Sequence, residues 1–253
     1  MAMTKMIMHG CNGRMGHVII DLVKEDADIE VVAGVDAFGE NNYDFPVFKS
    51  LSDCNVEADV IVDFSNASAV EGLLDYAANK NTPVVLCSTG LSEDQLAKVK
   101  EASTKVAVLR SANMSVGVNA LLKVLKEVAP LFAEAGFDIE IVEKHHNQKL
   151  DAPSGTAIAL ADAINDAFDE KYEYTYDRSQ RREKRRQKEI GISAVRGGTI
   201  VGDHDVIFAG HDEVVTLSHR AYSRAIFGKG AIQAAKYLAG KGAGMYDMAD
   251  VLA

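Results

Sequence analysis

Apolar positions along the first half of the chain alternate between two periods. Met6-Ile7-Met8-His9 is a short apolar run that predicts a strand. Arg14 to Lys24 follows, with Met15, Val18, Ile19, Leu22 and Val23 at helical spacing. The same alternation continues. Strands are predicted over Glu30 to Val35, Asp59 to Phe64, Pro83 to Leu86 and Val106 to Leu109, with helices over Ala67 to Ala78 and Glu93 to Ala102. Strands this apolar, separated by helices, predict a parallel sheet covered on both faces. The second half differs. A long helix is predicted over Val116 to Phe132, a strand over Phe137 to Glu143 and a helix over Thr156 to Phe168. Ile190 to Arg196, Asp205 to Ala209 and Val214 to Arg220 then read as antiparallel strands joined by glycine-rich turns such as Arg196-Gly197-Gly198, before a last helix over Ala231 to Leu238. The expected class is α/β. It comprises a parallel-sheet domain and then an α+β domain with a mixed or antiparallel sheet, the boundary lying near Met114.

Bulk properties narrow the function. With 253 residues, 47% hydrophobic and 25% charged, the chain is an ordinary globular protein with length for a large core. A formal net charge of −10 opposes general binding to nucleic acid or anionic membrane. No apolar run reaches the roughly 20 residues of a membrane span, and His9-Gly10 interrupts the start before a signal-peptide core forms. Cys11, Cys54 and Cys87 form no CxxC pair; a reducing cytoplasm is expected, without disulfides or a metal site. The one low-complexity piece, Arg178 to Lys188, reads as a solvated, mobile loop in preference to an anion-binding arm.

Gly10-Cys11-Asn12-Gly13-Arg14-Met15-Gly16 follows the first strand and opens the first helix. Glycines there permit a sharp turn, close approach of backbone to a pyrophosphate, and tight helix–strand packing, while the helix start offers N–H groups to the anion. Asp36, twenty positions after Gly16, ends the second strand, where a carboxylate can bond ribose hydroxyls. Asp36 repels a 2′-phosphate and Ala37 offers no cation, so NADH is favoured over NADPH, with dual use open if a more distant Lys or Arg reaches in. The loops Cys87-Ser88-Thr89-Gly90 and Ser111-Ala112-Asn113-Met114 follow two further strands and are placed to meet the nicotinamide half. Plain turns are the alternative for both. Cys87 has no local activating partner and reads as a small residue beside the cofactor, not a nucleophile.

Glu143-Lys144-His145-His146-Asn147-Gln148-Lys149-Leu150-Asp151-Ala152-Pro153-Ser154-Gly155-Thr156 carries the densest chemistry. Pro153-Ser154-Gly155-Thr156 has the make-up of a helix start, whose N–H groups and hydroxyls form a carboxylate cradle. Lys149, His145 and His146 bring positive charge and exchangeable protons. Taken singly, each is as well explained by a surface histidine, a solvated lysine or a turn-bracing Asp151; together, between a strand end and a helix start, they point to a small anionic substrate. This segment resembles the signature E-x-H-H-x-x-K-x-D-A-P-S-G-T of the dihydrodipicolinate reductase family. The resemblance extends over Gly10 to Gly16, Ser111 to Asn119, Arg196-Gly197-Gly198, Val201-Gly202-Asp203-His204 and the tail Tyr246 to Leu252. Cys87-Ser88-Thr89-Gly90 stands where that family has glycine-threonine-threonine-glycine, and Met114 where it has an aromatic; the basic run replaces a loop richer in glycine.

The resemblance implies an NAD(P)H-dependent, homotetrameric reductase of a cyclic imine dicarboxylate in lysine and diaminopimelate biosynthesis. It also implies a Rossmann-like nucleotide domain of residues 1–114 and 225–253, completed by the C-terminal helix, and a central domain of residues 115–224 that carries the tetramer sheet. His145 and Lys149 become the proton donor and proton relay, His146 a substrate contact, and Ser154, Gly155 and Thr156 the carboxylate cradle. A different two-domain dehydrogenase acting on a small dicarboxylate, or a silent nucleotide sensor, would share the glycine turn without needing the His-His-x-x-Lys segment.

Overall fold

The computed structural model describes residues 3–38 and 43–253. In chain order the elements are β1 (Thr4–His9), α1 (Arg14–Lys24), β2 (Ile29–Val35), β3 (Val47–Phe48), β4 (Val60–Asp63), α2 (Val70–Lys80), β5 (Val84–Leu86), α3 (Glu93–Ser103) and β6 (Ala107–Leu109). Then come α4 (Val116–Glu134), β7 (Asp138–His145), α5 (Gly155–Asp166), β8 (Glu173–Tyr176), β9 (Glu189–Arg196), β10 (Gly202–Ala209), β11 (Val214–Ala221), α6 (Ala225–Leu238), β12 (Gly244–Tyr246) and α7 (Met248–Val251). They form two compact units, one running to Ser115 and resuming at Arg224–Ala253, the other Val116–Ser223.

The first unit is a seven-stranded sheet in the order β12-β6-β5-β4-β1-β2-β3, with every pairing parallel. Its central strands are buried on both faces because their side chains alternate between two cores. Met6 and Met8 meet Ile19, Val23 and Ala231 on one side, and Ile7 joins Ile61, Leu73 and Val99 on the other. Each fully buried aliphatic chain contributes about 1.5–3 kcal/mol by leaving water. The last helix, α6, starts six positions before the expected Ala231, and its small residues let it lie against α1 and the sheet. β3 and β12, two and three residues long, extend the sheet at its edges. No periodicity is visible in so few positions, and neither strand was expected.

The second unit is a five-stranded sheet, β11-β10-β7-β9-β8. β10 is antiparallel to both β7 and β11, whereas β7, β9 and β8 run parallel. The sheet is therefore mixed, and the expectation that Ile190 to Arg196 pairs antiparallel with the next strand is corrected. β7 lies between β9 and β10, so the Gly197-Gly198 turn is not a hairpin between neighbours. It crosses the end of β7, where Gly197 N donates to His145 O at 2.9 Å and Asn147 N to Gly198 O at 3.2 Å. β7 itself runs two residues further at its C-terminal end than expected, which moves His145 from a loop onto a strand. One sheet face packs on α4 and α5 through Ile139, Ile141, Ile190, Ile192, Val206 and Phe208.

The basic run is also corrected. Arg178 binds both oxygens of Glu140 at 2.8 Å and reaches Glu189 at 2.5 Å. Arg185 bonds Asp138 at 2.7 Å and Glu140 at 2.9 Å. Two arginines of the run thus clamp strand carboxylates instead of standing in solvent. Charge counting missed this because two of the acidic partners, Asp138 and Glu140, lie 38 to 47 residues away in sequence.

A Cβ at Gly230 of α6 would lie 1.6 Å from the carbonyl oxygen of Met114, a backbone atom that no rotamer can move. Gly230→Ala is expected to cost about 2 kcal/mol of overpacking and to lower Tm by about 4–8 °C in a thermal melt.

Candidate active site

In the first unit, β1 ends in the glycine turn. Gly10 sits at φ +83, the left-handed region, and a Cβ there would meet Phe64 O at 2.8 Å. A Cβ on Gly16 would lie 2.3 Å from Gly10 O and 2.5 Å from Cys11 O. α1 begins at the N-cap Gly13 with no side-chain cap, so its first N–H groups, including those of Arg14 and Met15, face away from any capping side chain. Cys11 is fully buried, and Met15 packs on the core. Asp36 accepts the N–H of Asn12 and of Phe38, each at 3.0 Å, so its carboxylate ties the second strand end to the turn. A cleft of about 460 Å³ opens beside this turn, lined by Gly10, Gly13, Asp36, Lys49 and Ser65 among others. An uncapped helix start, a cradle that side chains would fill and an acidic ribose partner fit a dinucleotide.

At the C-terminal ends of β1, β4 and β5, Asp63 is buried at 0% exposure. It bonds His9 Nδ1 at 2.8 Å and accepts the hydroxyls of Ser65 and Ser88 at 2.6 Å each. Burial raises the Asp63 pKa, but His9 and the two serines outweigh it and hold it below the ordinary carboxylate value. Ser88 is thereby fixed, while Thr89 is exposed. The thiol of Cys87 is pushed well up by its packed surroundings and by Asp63, and so stays protonated. In the other loop the Asn113 carboxamide accepts Ser115 N at 2.8 Å, Met114 is buried, and Ser111 and Ala112 lie nearer the surface. The sequence reading missed Asp63 and His9; a polar residue closing each of two apolar strands was the available signal.

In the second unit, Glu143 organises the signature segment. It is wholly buried, two positions before the end of β7, and takes four hydrogen bonds. Arg196 donates to both oxygens at 2.7 Å, His145 Nδ1 lies 2.6 Å from Oε2, and Ser154 N donates to Oε1 at 2.9 Å. Burial would raise its pKa; Arg196, His145 and the Ser154 amide together bring it below the ordinary value. The carboxylate therefore stays charged, and its bond to Nδ1 leaves His145 Nε2 as the outward nitrogen. Burial lowers the His145 pKa, and Glu143 only partly offsets it. Nε2 would be 3.0 Å from a Cβ on Gly202, so the glycine of Val201-Gly202-Asp203-His204 is the space into which this ring fits.

His146 accepts Gln148 N at 3.2 Å, and Lys149 pairs with Asp151 at 2.9 Å. Ser154 caps α5 by accepting Ala157 N at 3.1 Å, and is 2% exposed. Its amide is committed to Glu143, so Gly155, exposed, and Thr156, half-buried, present the solvent side of the helix start while Ser154 stands behind them. The sequence reading took Glu143 only as the start of the segment and left Arg196 unassigned; neither partner is local to the other.

A parallel sheet with a glycine turn at a helix start, joined in one chain to a mixed sheet that displays a histidine, a lysine and a helix-start cradle, defines a two-unit nucleotide-dependent oxidoreductase. The family models bear directly on which one: residues 4–114 match dihydrodipicolinate reductase, N-terminus, and residues 117–252 match dihydrodipicolinate reductase, C-terminus. The chain belongs to the dihydrodipicolinate reductase family. It is 54% identical over 252 residues to a 4-hydroxy-tetrahydrodipicolinate reductase of Caldanaerobacter subterraneus subsp. tengcongensis, covering 99% of this chain and 98% of that relative. With the enzyme of the same name from Clostridium novyi it shares 47% identity over 250 residues, 99% of this chain and 98% of the other. A dipicolinate-bound dihydrodipicolinate reductase from Paenisporosarcina sp. TG-14 has the same fold, at TM-score 0.79 and 24% identity over 97% of each chain.

A carboxylate with a depressed folded pKa contributes stability that is complete above its unfolded value, here 4.5, and is lost as pH falls through the folded one. Glu143→Gln is therefore expected to lower Tm at neutral pH, by leaving Arg196 without its charged partner at a cost of about 3 kcal/mol. It should also flatten the decline of Tm below pH 4.5 that the unaltered protein shows in acid melts.

Proposed function

We propose that this chain reduces 4-hydroxy-tetrahydrodipicolinate to tetrahydrodipicolinate. The observation that carries the reading is the Glu143–His145 pair, which lies on β7 just ahead of Lys149 and the α5 start. Once the hydroxy precursor has lost water to give the unsaturated cyclic imine, the dinucleotide, when bound, would supply a hydride to the conjugated carbon remote from the ring nitrogen. Charge then develops toward that nitrogen, and the chain must place a cation and a proton there. Lys149, drawn from Asp151 to the substrate, pairs with one carboxylate and stabilises this charge. Gly155 and Thr156 take the other carboxylate at the α5 start, and His146 contacts the substrate. Because Nδ1 is committed to Glu143, the proton that His145 transfers is one taken up on Nε2. In the free protein burial keeps His145 largely neutral; two substrate carboxylates beside it raise its pKa, so that it becomes protonated as the substrate binds.

We also propose that Gly10 to Met15, Asp36, Cys87 to Thr89 and Ser111 to Met114 hold the cofactor, and that NADH is preferred. Asp36 keeps a negative charge at the ribose edge, which disfavours a 2′-phosphate. Lys49 opens on the same cleft, which allows NADPH to be accepted more weakly instead of excluded. The face of the second sheet turned away from α4 and α5 carries Val142, Val195, Ile207 and Val214, of which Val195 and Val214 are 46% and 62% exposed. This supports a homotetramer built on that face, and three free cysteines support a reducing, cytosolic setting.

With substrate generated freshly in a coupled assay, kcat/KM is expected to be about tenfold higher with NADH than with NADPH; a preference for NADPH would overturn the role given to Asp36. Lys149→Ala and His145→Ala should each lower kcat by about 10²-fold or more while leaving the Kd for NADH nearly unchanged. Near-normal turnover in both would sink the assignment. Light scattering should give four times the chain mass of 27.3 kDa, and Val195→Arg should reduce it.

A further inference from the structure

Three histidines stand on the helix-facing side of the second sheet, one on each of three adjacent strands. His204 on β10 lies directly opposite His219 on β11, and its ring meets that of His145 on β7 edge-on, with centroids 5.1 Å apart and planes at 75°. The chemistry proposed above gives His204 no task, yet it is 3% exposed. Its Nε2 lies 3.0 Å from the Ser154 hydroxyl. That hydroxyl already accepts Ala157 N, and it has one hydrogen of its own to give. The hydrogen goes to His204 Nε2, so the neutral ring carries its proton on Nδ1. The reverse arrangement would make Ser154 Oγ accept twice and leave its own hydrogen unplaced.

Burial, reinforced by His145, pushes His204 down to about 4, with Glu143 opposing and His219 and Lys149 adding to the fall. At neutral pH the ring is therefore uncharged. Its Nδ1 is buried and makes no hydrogen bond among the described residues. A buried unpaired donor costs stability that an apolar side chain of the same size would not. The position therefore holds a histidine for its other nitrogen and for its edge.

We propose that His204 is a positioning residue for the reduction: one buried ring fixes the Ser154 hydroxyl that caps the carboxylate cradle and, with its edge, the imidazole of His145. The cradle and the proton donor would then be set by a single side chain. This rests on the reading of the site given above, and two substitutions separate its halves. His204→Phe keeps an aromatic edge against His145 and removes the acceptor for Ser154. His204→Gln keeps a polar partner for Ser154 and removes the ring.

The test measures binding of dipicolinate, a planar ring dicarboxylate, together with KM and kcat for 4-hydroxy-tetrahydrodipicolinate at saturating NADH. His204→Phe is expected to weaken dipicolinate and raise KM about tenfold with little change in kcat. His204→Gln should recover most of that binding while kcat falls about tenfold, because the His145 ring is no longer held. Adding Ser154→Ala to His204→Phe should cause little further loss of binding, since both remove one contact. Unchanged KM and kcat in both single variants, or equal losses in both without the split, would overturn the proposal. So would fully additive effects of Ser154→Ala and His204→Phe, a readout that stands even if His204→Gln fails to fold. An unaltered protein that neither binds dipicolinate nor turns over the substrate would instead overturn the reading of the site, and the positioning role with it.

Discussion

A carboxylate removed from water must be surrounded by donors or give up its charge, and the second unit is arranged around that requirement at Glu143. Its donors come from three places in the chain. Arg196 closes β9, His145 closes β7, the amide of Ser154 opens α5, and Glu143 itself sits on the central strand. Each donor thereby acquires a fixed position relative to the others. The negative charge selects the Nδ1–H form of His145, anchors the helix start and holds the strand ends in register. Loss of this one charge would leave an arginine, a histidine and a helix start without their shared anchor.

The topology makes the arrangement attainable. β7 is flanked by a parallel neighbour on one side and an antiparallel one on the other, so the end of β9 and the start of β10 lie on either side of His145. The Gly197-Gly198 crossing passes over that end and bonds its backbone. Gly202 at the start of β10 leaves room for the imidazole that a side chain would displace. In the first unit Asp63 plays a corresponding part, gathering His9, Ser65 and Ser88 from three strand ends beside the glycine turn. Both units thus fix polar groups at strand ends by burying one acid among them.

Much of this was legible in the sequence. The parallel sheet followed from apolar strands alternating with helical patterns, the glycine turn from three glycines where a strand gives way to a helix, and the chemistry proposed for the chain from the His-His-x-x-Lys segment. Long, strongly periodic elements were placed within a few residues. What escaped was non-local. Glu143 and Arg196 are 53 positions apart and His9 and Asp63 are 54 apart, so no local pattern pairs them. The strand order that puts β7 between β9 and β10 is likewise invisible to periodicity, which gives the period of a strand but not its neighbour. The basic run from Arg178 was misread because composition reports charge and not the acidic residues that the fold brings to it.

The bond from Glu143 to His145 Nδ1 fixes the ring and leaves Nε2 to exchange a proton, and nitrogen NMR of histidine-labelled protein reads that state. At neutral pH the His145 ring should be a single tautomer, with the proton on Nδ1 and Nε2 bare, and it should gain a proton on Nε2 when dipicolinate is added. A ring averaging between tautomers, or one already carrying its proton on Nε2 and unaffected by dipicolinate, would contradict it.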